Sequence, residues 1–433
     1  MRIQLGAPIP LSQLGYAASE EAVTGIATDS REIELGDLFL ALRGEKTDGT
    51  NYVKEAIWRG AIAVMSESAV SGCPCLTVRS VTDAIADLAR EYADTVRHKT
   101  VAVTGSVGKS TVLSYLKTVL STTFRVHAPG GNYNTDLGLP LTMLEMPPDT
   151  EILLLEMGAR HSGDIHRLSL LAKPEIAAIT NIGSSHLETF GTKDAILRAK
   201  TEITDGMPSY GRLVLNIDDP LLFKYASVST QRVITLSADK ANADYTLPSD
   251  FQGKGTAVRY AALFALAIGD LLGIERSKVK GALPLCLAPP MRQEKIEHGG
   301  ITYLMDAYNA SPESTLAAFE LLSLYVSLGR EAYAILGDMR ELGEESQALH
   351  RMVGEAYARL GARKLFCYGE KARAIGEGAE TGGMSPSAIE YYTLGEEPLL
   401  LRSVRRQLKS QDVILLKASR AMRLDRLLCQ LLG

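Results

Sequence analysis

The segment VAVTGSVGKST, residues 101–111, decides how the rest of the chain is read. Val101, Ala102 and Val103 form an apolar run suited to a buried strand. From Val112 onward the apolar positions Leu116, Val119 and Leu120 recur at the spacing of one helix face. Between the two, Gly105 and Gly108 let successive backbone N–H groups turn toward one point, and the following helix adds the positive end of its dipole. Lys109 contributes a full charge, and the Ser110 hydroxyl is a suitable Mg²⁺ ligand. A phosphate-holding turn is the functional reading. The first glycine of the pattern G-x-x-x-x-G-K-[ST] is replaced by Val103, so an ordinary glycine-rich strand-to-helix turn competes with it.

Around this segment the chain runs to 433 residues, too long for one core and suited to two or three domains. Its formal net charge of −5 gives no reason to expect nucleic acid as a partner. The opening MRIQLGAPIPLSQLG lacks the continuous apolar centre of an export signal, and no run approaches the roughly 18 apolar residues of a membrane span. A cytoplasmic, monomeric protein without membrane association is the expectation. An odd count of five cysteines, with Cys73 and Cys75 too close for a two-residue spacer, reads as reduced structural thiols.

Residues 1–98 read as a small α/β unit, with short strands expected at 61–65 and 75–78 and an amphipathic helix at 81–94. Two polar clusters interrupt it: Thr28, Asp29, Ser30 and Arg31, then a run from Gly44 to Gly49 that includes Lys46 and Asp48. Such residues make turns and helix caps, and the alternative is that Arg31 and Lys46 face an anionic ligand. From about residue 99 to 290 strands and helices alternate, which favours a mostly parallel sheet with ligands beyond the carboxyl ends of its strands. The apolar run 152–155 stops at Glu156, and the run 176–179 stops at Thr180 and Asn181, with His186 close behind. A helix expected over 193–203 carries Lys200, and Asn134 lies in an asparagine-rich loop. One acid or histidine in isolation reads as a cap or a structural group; following a phosphate loop, Glu156 and His186 become metal-ligand candidates. An apolar helix over 257–272 reads as core, and the proline-containing stretch 283–290 as a linker. Residues 291–433 form a third α/β unit with strands expected at 301–305, 332–336, 364–368 and 413–416. Polar groups follow three of those strands: Asp306 with Tyr308 and Asn309, then Asp338, then Lys417 to Arg420. They mark an expected ligand-facing edge.

The ordered set ATDSREIELGDLFLALRGEKTDG, VTGSVGKST, GGNYNTDLGLPLTML, LLLEMGARHSGDIHRL, ITNIGSSHLETFGTKDAILRAKTEI, DAYNASPEST, ILGDMRELGEES and LLKASR resembles the Mur ligases over almost the whole chain. The resemblance implies an α/β protein of three domains: a small UDP-substrate-binding domain (1–98), a central P-loop ATP-binding domain with a mostly parallel sheet (99–290) and a C-terminal Rossmann-like ligase domain (291–433). The D-N-P-R signature of the diaminopimelate-adding members is absent. The implied reaction is therefore ATP-dependent ligation of D-alanyl-D-alanine to UDP-N-acetylmuramoyl-tripeptide through an acyl phosphate, with ATP and Mg²⁺.

By the same resemblance Ser30, Arg31, Lys46 and Asp48 belong near the UDP moiety. Gly105, Ser106, Val107, Gly108, Lys109, Ser110, Thr111, Asn134, Arg292 and Asp306 belong to the ATP site. Lys109, Glu156, His186 and Lys200 are the implied catalytic set, with Ser110, Glu156 and His186 on metal and Lys200 at the position that is carbamylated in the family. The chain departs from the family pattern at Ser110, Thr135, Ser311 and Ala418. It also has Gly255 and Thr256 where a histidine-asparagine pair helps hold adenine. A folylpolyglutamate-type amide ligase and a non-catalytic UDP-sugar or nucleotide binder are the competing expectations.

Overall fold

The computed structural model describes residues 1–15, 20–44 and 47–433. Their strands form three sheets, one after another along the chain. The first has the order β1 (Arg2–Pro10), β2 (Ala22–Ala27), β3 (Asp37–Ala41), β4 (Ala63–Ser66), β5 (Cys75–Thr77); it is parallel except for the antiparallel β1–β2 pair. The second contains β6 (Lys99–Thr104), β7 (Val126–His127), β8 (Ile152–Glu156), β9 (Ile176–Ile179), β10 (Arg212–Asn216) and β11 (Arg232–Leu236). Its order is 11-10-9-6-8-7 and every pairing is parallel. The third holds β12 (Glu294–His298), β13 (Ile301–Met305), β14 (Ala332–Gly337), β15 (Lys364–Tyr368), β16 (Ile389–Tyr392) and β17 (Val413–Lys417) in the order 12-13-17-14-15-16, with only β12 antiparallel to its neighbour.

The central sheet owes its position to the alternation of strand side chains. Ala102, Leu153 and Leu155 point to one face, where they share a continuous apolar core with Ile3, Leu38, Ile85 and Met146, so the first and second units are fused. Tyr92 reinforces the junction by donating to the Met146 carbonyl at 2.6 Å. Val101, Val103, Ile152 and Leu154 point to the other face and pack on the Lys109–Leu120 and Thr256–Leu271 helices through Leu116, Phe264 and Ile268. The third unit has its own cores on the two faces of its sheet, around Leu304, Ala334 and Leu415 on one side and Tyr303, Ile335 and Ile414 on the other.

Several expected elements differ at their ends by a residue or two. The helix at 81–94 spans Val81–Thr95, and the one at 257–272 spans Thr256–Leu271. The helix expected over 193–203 is α-helical over Lys193–Thr201 and tightens to a 3₁₀ turn at Glu202–Thr204. Glu156 is the last residue of β8, at the carboxyl end of the strand as expected. The departures at Thr135, Ser311 and Ala418 have local explanations. Thr135 Oγ1 accepts from the Gly138 amide, Ser311 caps the Pro312–Ser327 helix through a capping box with Ser314, and Ala418 is fully buried against Gly337.

Candidate active site

β6 lies in the middle of its sheet with β9 on one side and β8 on the other, so the loop at its carboxyl end opens into the crevice between diverging connections. Gly105 permits a close approach: a Cβ there would come within 2.0 Å of Thr180 Oγ1. Gly108 serves differently. Its φ of 87° turns the chain into the Lys109–Leu120 helix, and nothing lies within 4 Å of where its Cβ would be. The residues after β9 brace the loop: Asn181 accepts the Ser106 amide through its carbonyl (3.0 Å) and the Val107 amide through Oδ1 (2.9 Å), and Gly183 N–H donates to Ser106 Oγ at 2.9 Å. The first-turn amides of the helix, Lys109 to Thr111, have no intrahelical acceptor and point to the same opening. Lys109 folds back onto its own loop and donates to the Gly105 carbonyl at 2.7 Å, the position an anion would take over. Burial lowers the pKa of Lys109, and the nearby Arg292 adds to that while Glu156 opposes it.

Next to this cradle, Glu156 is 3 % exposed. Each of its oxygens takes one neutral donor, Ser110 Oγ at 2.6 Å and Asn134 Nδ2 at 2.8 Å. Among the described residues it has no ion-pair partner within 4 Å, and no cluster of three His, Cys, Asp or Glu residues could hold a metal. One buried carboxylate and one hydroxyl make a hard-oxygen pair, which fits Mg²⁺ that keeps water and phosphate as its other ligands. Lys200 is buried in the same wall, 2 % exposed; desolvation, with Lys109 nearby, pushes its pKa down to about 7.

The third unit forms the facing wall of a cavity of about 1070 Å³. The Arg292 guanidinium stacks over the Tyr308 ring at 4.2 Å. Asp306 pairs at 3.0 Å with Lys417, whose ammonium also donates to the Asp306 and Asn309 carbonyls and so fixes the loop after β13. Ala257, Val258, Leu287, Ala317 and Leu321 give the cavity an apolar part of its lining. Thr256, at the start of its helix, donates through its amide (3.0 Å) and hydroxyl (2.5 Å) to Glu320 of the third unit. His186, at a φ of 63°, pairs its Nδ1 with Glu341 of the third unit at 2.6 Å, which holds the Glu341 carboxyl below its usual range.

Lys109, Glu156, His186, Lys200, Ser106, Val107, Gly108, Ser110, Thr111, Asn134, Arg292 and Asp306 all line this one cavity. Gly105 lies behind it. The polar clusters of the first unit are not in its lining: Asp29 and Asp48 cap 3₁₀ turns, Ser30 Oγ donates to Glu55 at 2.8 Å, and Arg31 pairs with Asp29 at 2.6 Å. Lys46 lies outside the described residues. Of the three strand ends expected to face ligand in the third unit, the middle one does not: Asp338 Oδ1 accepts the Ala372 amide and its carbonyl accepts Ser419 N–H, so it ties loops together inside the unit. Glu320 and Glu341, which reach across from the third unit, received no role from the sequence, although Glu341 falls within ILGDMRELGEES, since an acid on a helix or in a loop reads as solvated surface.

Three family profiles cover most of the chain: "Mur ligase family, catalytic domain" over residues 22–103, "Mur ligase middle domain" over 103–265, and "Mur ligase, glutamate ligase domain" over 291–420. A Bacillus subtilis protein named UDP-N-acetylmuramoyl-tripeptide–D-alanyl-D-alanine ligase is 34% identical over 435 residues, covering 95% of this chain and 94% of that one. The crystal structure of MurF from Acinetobacter baumannii superposes with a TM-score of 0.87 at 25% identity, covering 99% of this chain and 100% of that one. MurF ligase from Thermotoga maritima in complex with ADP gives a TM-score of 0.81 at 28% identity, with 94% and 96% covered.

Proposed function

The chain belongs to the Mur ligase family, and from that premise we propose that it joins D-alanyl-D-alanine to UDP-N-acetylmuramoyl-tripeptide, converting ATP to ADP and phosphate, in peptidoglycan precursor synthesis. The observation that carries this reading is the single cavity walled by the phosphate loop, Glu156 and Lys200 on one side and by Arg292, Asp306 and Tyr308 on the other. A phosphate loop alone would suit any nucleotide enzyme; a second wall from a separate unit suits transfer from nucleotide to a bound acceptor.

A carboxylate is a poor electrophile, so the terminal carboxylate of the tripeptide first attacks the γ-phosphorus of ATP. A P–O bond forms, ADP leaves, and an acyl phosphate results. The dipeptide amine then adds to the acyl carbon and loses its proton, and phosphate departs as the amide bond forms. Lys109 and the amides of residues 108–111 stabilise charge on the transferring phosphoryl group. Bound Mg²⁺ supplies Lewis-acid charge at the phosphates, and Ser110 and Glu156 are the residues that would hold it. For His186 as a second metal position the support is the family resemblance, because its Nδ1 is taken by Glu341 in this conformation. Lys200, with a pKa near 7, has a substantial neutral fraction at physiological pH, the form that can react with CO₂ to give a carbamate.

We assign residues 1–98 to the UDP end of the substrate with Ser30, Arg31, Lys46 and Asp48 nearby, 99–290 to ATP, and 291–433 to the amino component; the support is the family order and one sheet per segment. One chain supplies every group of the cleft, so a monomer suffices. No helix among the described residues is long and apolar enough to cross a membrane, and reliance on ATP and a UDP-linked substrate suits the cytoplasm. The test is direct: the protein with ATP, Mg²⁺, UDP-N-acetylmuramoyl-tripeptide and D-alanyl-D-alanine is expected to release phosphate and form the pentapeptide. Absence of product with any dipeptide overturns the assignment.

A further inference from the structure

Glu313 is the second residue of the Pro312–Ser327 helix, in the third unit, yet its carboxylate is delivered into the loop after β9 of the central unit. Its Oε1 accepts both the Ser184 amide, at 2.8 Å, and the Ser184 hydroxyl, at 2.9 Å, with the Lys193 ammonium 3.6 Å away. Gly183 makes room for it, because a Cβ there would stand 2.9 Å from the Glu313 Cδ. The other oxygen, Oε2, is buried with no hydrogen-bond partner among the described residues.

What Glu313 holds is the brace of the phosphate loop. Gly183, next to Ser184, donates to Ser106 Oγ at 2.9 Å, and Asn181 accepts the amides of Ser106 and Val107. One residue therefore separates the third unit's carboxylate from a residue hydrogen-bonded to the phosphate loop. Glu313 is not in the cavity lining and meets no reacting atom.

We propose that Glu313 is a positioning residue that couples seating of the third unit to the shape of the phosphate loop, so that the loop is fully braced only when the wall bearing Arg292 and Asp306 is in place. This rests on the ligase reading above. When the third unit swings away, Ser184 loses the acceptor of two hydrogen bonds to a charged group, and the segment 181–184 loses its outer support. Closure and phosphate binding then reinforce each other through one short hydrogen-bonded chain.

The test uses the full chain in the ligation assay. Glu313→Ala is expected to lower kcat by about tenfold or more, the size of effect typical of lost hydrogen bonds to a charged acceptor. It should also raise the Kd for a non-hydrolysable ATP analogue, because closure and phosphate binding favour each other reciprocally, and an unchanged Kd counts against the coupling. Glu313→Gln keeps an oxygen for Ser184 and is expected to recover most of kcat, which a general folding defect would not allow. Ser184→Ala should slow the parent but add little in the Glu313→Ala background. Unchanged kcat in Glu313→Ala, a Gln variant as slow as the Ala variant, or additive effects of the two positions overturns the coupling. No ligation by the parent protein overturns the ligase reading, and this proposal with it.

Discussion

Lys200 shows most plainly how burial sets chemistry. Its pKa falls from 10.5 to about 7 because the ammonium is desolvated and faces Lys109. A lysine whose folded pKa is depressed weakens the fold wherever both states are protonated, below about pH 7, and the penalty fades as pH rises toward the free-lysine value. In bicarbonate-free buffer Lys200→Met is therefore expected to be more stable than the parent, by roughly a few kcal/mol at pH 6 and by less at pH 9, while ligation is lost. Chemical denaturation at the two pH values checks this, and a pH-independent difference refutes it. Lys109→Ala is expected to reduce kcat by at least about a hundredfold through lost stabilisation of the phosphoryl group, measurable as phosphate release. Lys109, Ser110 and Glu156 were legible in the sequence because a glycine loop and a strand end dictate their placement locally. Glu313, Glu320 and Glu341 were not, since their partners lie 129, 64 and 155 residues away and only the packing of two units brings them together.

Among the elements, the Thr256–Leu271 helix departs most from the family pattern, and it does so at its first turn. Gly255 at its N-cap offers no side-chain acceptor to the first turn, and the Glu320 carboxylate accepts the Thr256 amide and hydroxyl from across the cleft while also lying near the positive end of the helix dipole. The contact joins residues adjacent in sequence to Ala257 and Leu321, which line the cavity. Glu320→Ala is expected to raise the KM for ATP about threefold and to change kcat less, because the contact is exposed and worth about 1 kcal/mol. An unchanged KM disproves its part in nucleotide binding. Periodicity identified the buried parallel strands β8, β9, β13 and β15 to within a residue, since both of their faces are apolar. It missed β1, whose Pro8 and Pro10 suit an edge, and β12, whose EKIEH is charged because it borders solvent.

The whole molecule divides unequally. The first two units share one apolar core, whereas the third has cores of its own and meets the others through Leu349, which packs on that shared core, and through polar contacts from Glu313, Glu320 and Glu341. Calorimetry without substrates is expected to resolve two transitions, one for residues 291–433 and one for the remainder, with ATP moving them together; a single transition throughout contradicts this division. The three-unit order was readable because each motif belongs to one unit. The fusion of the first two was not, because it depends on residues far apart in sequence, such as Tyr92 and Met146, coming together. Between the bodies runs the segment 287–290, with Leu283 and Cys286 still packed in the central core and Ser114 holding the Leu287 carbonyl at 2.7 Å. Four residues span at most about 14 Å, and Pro289 and Pro290 narrow even that range. The third unit is thus kept at a high effective concentration over the cleft. Carboxylate contacts too weak to hold two free proteins together suffice here, and because each is weak, the cleft can open again to let ADP and product out.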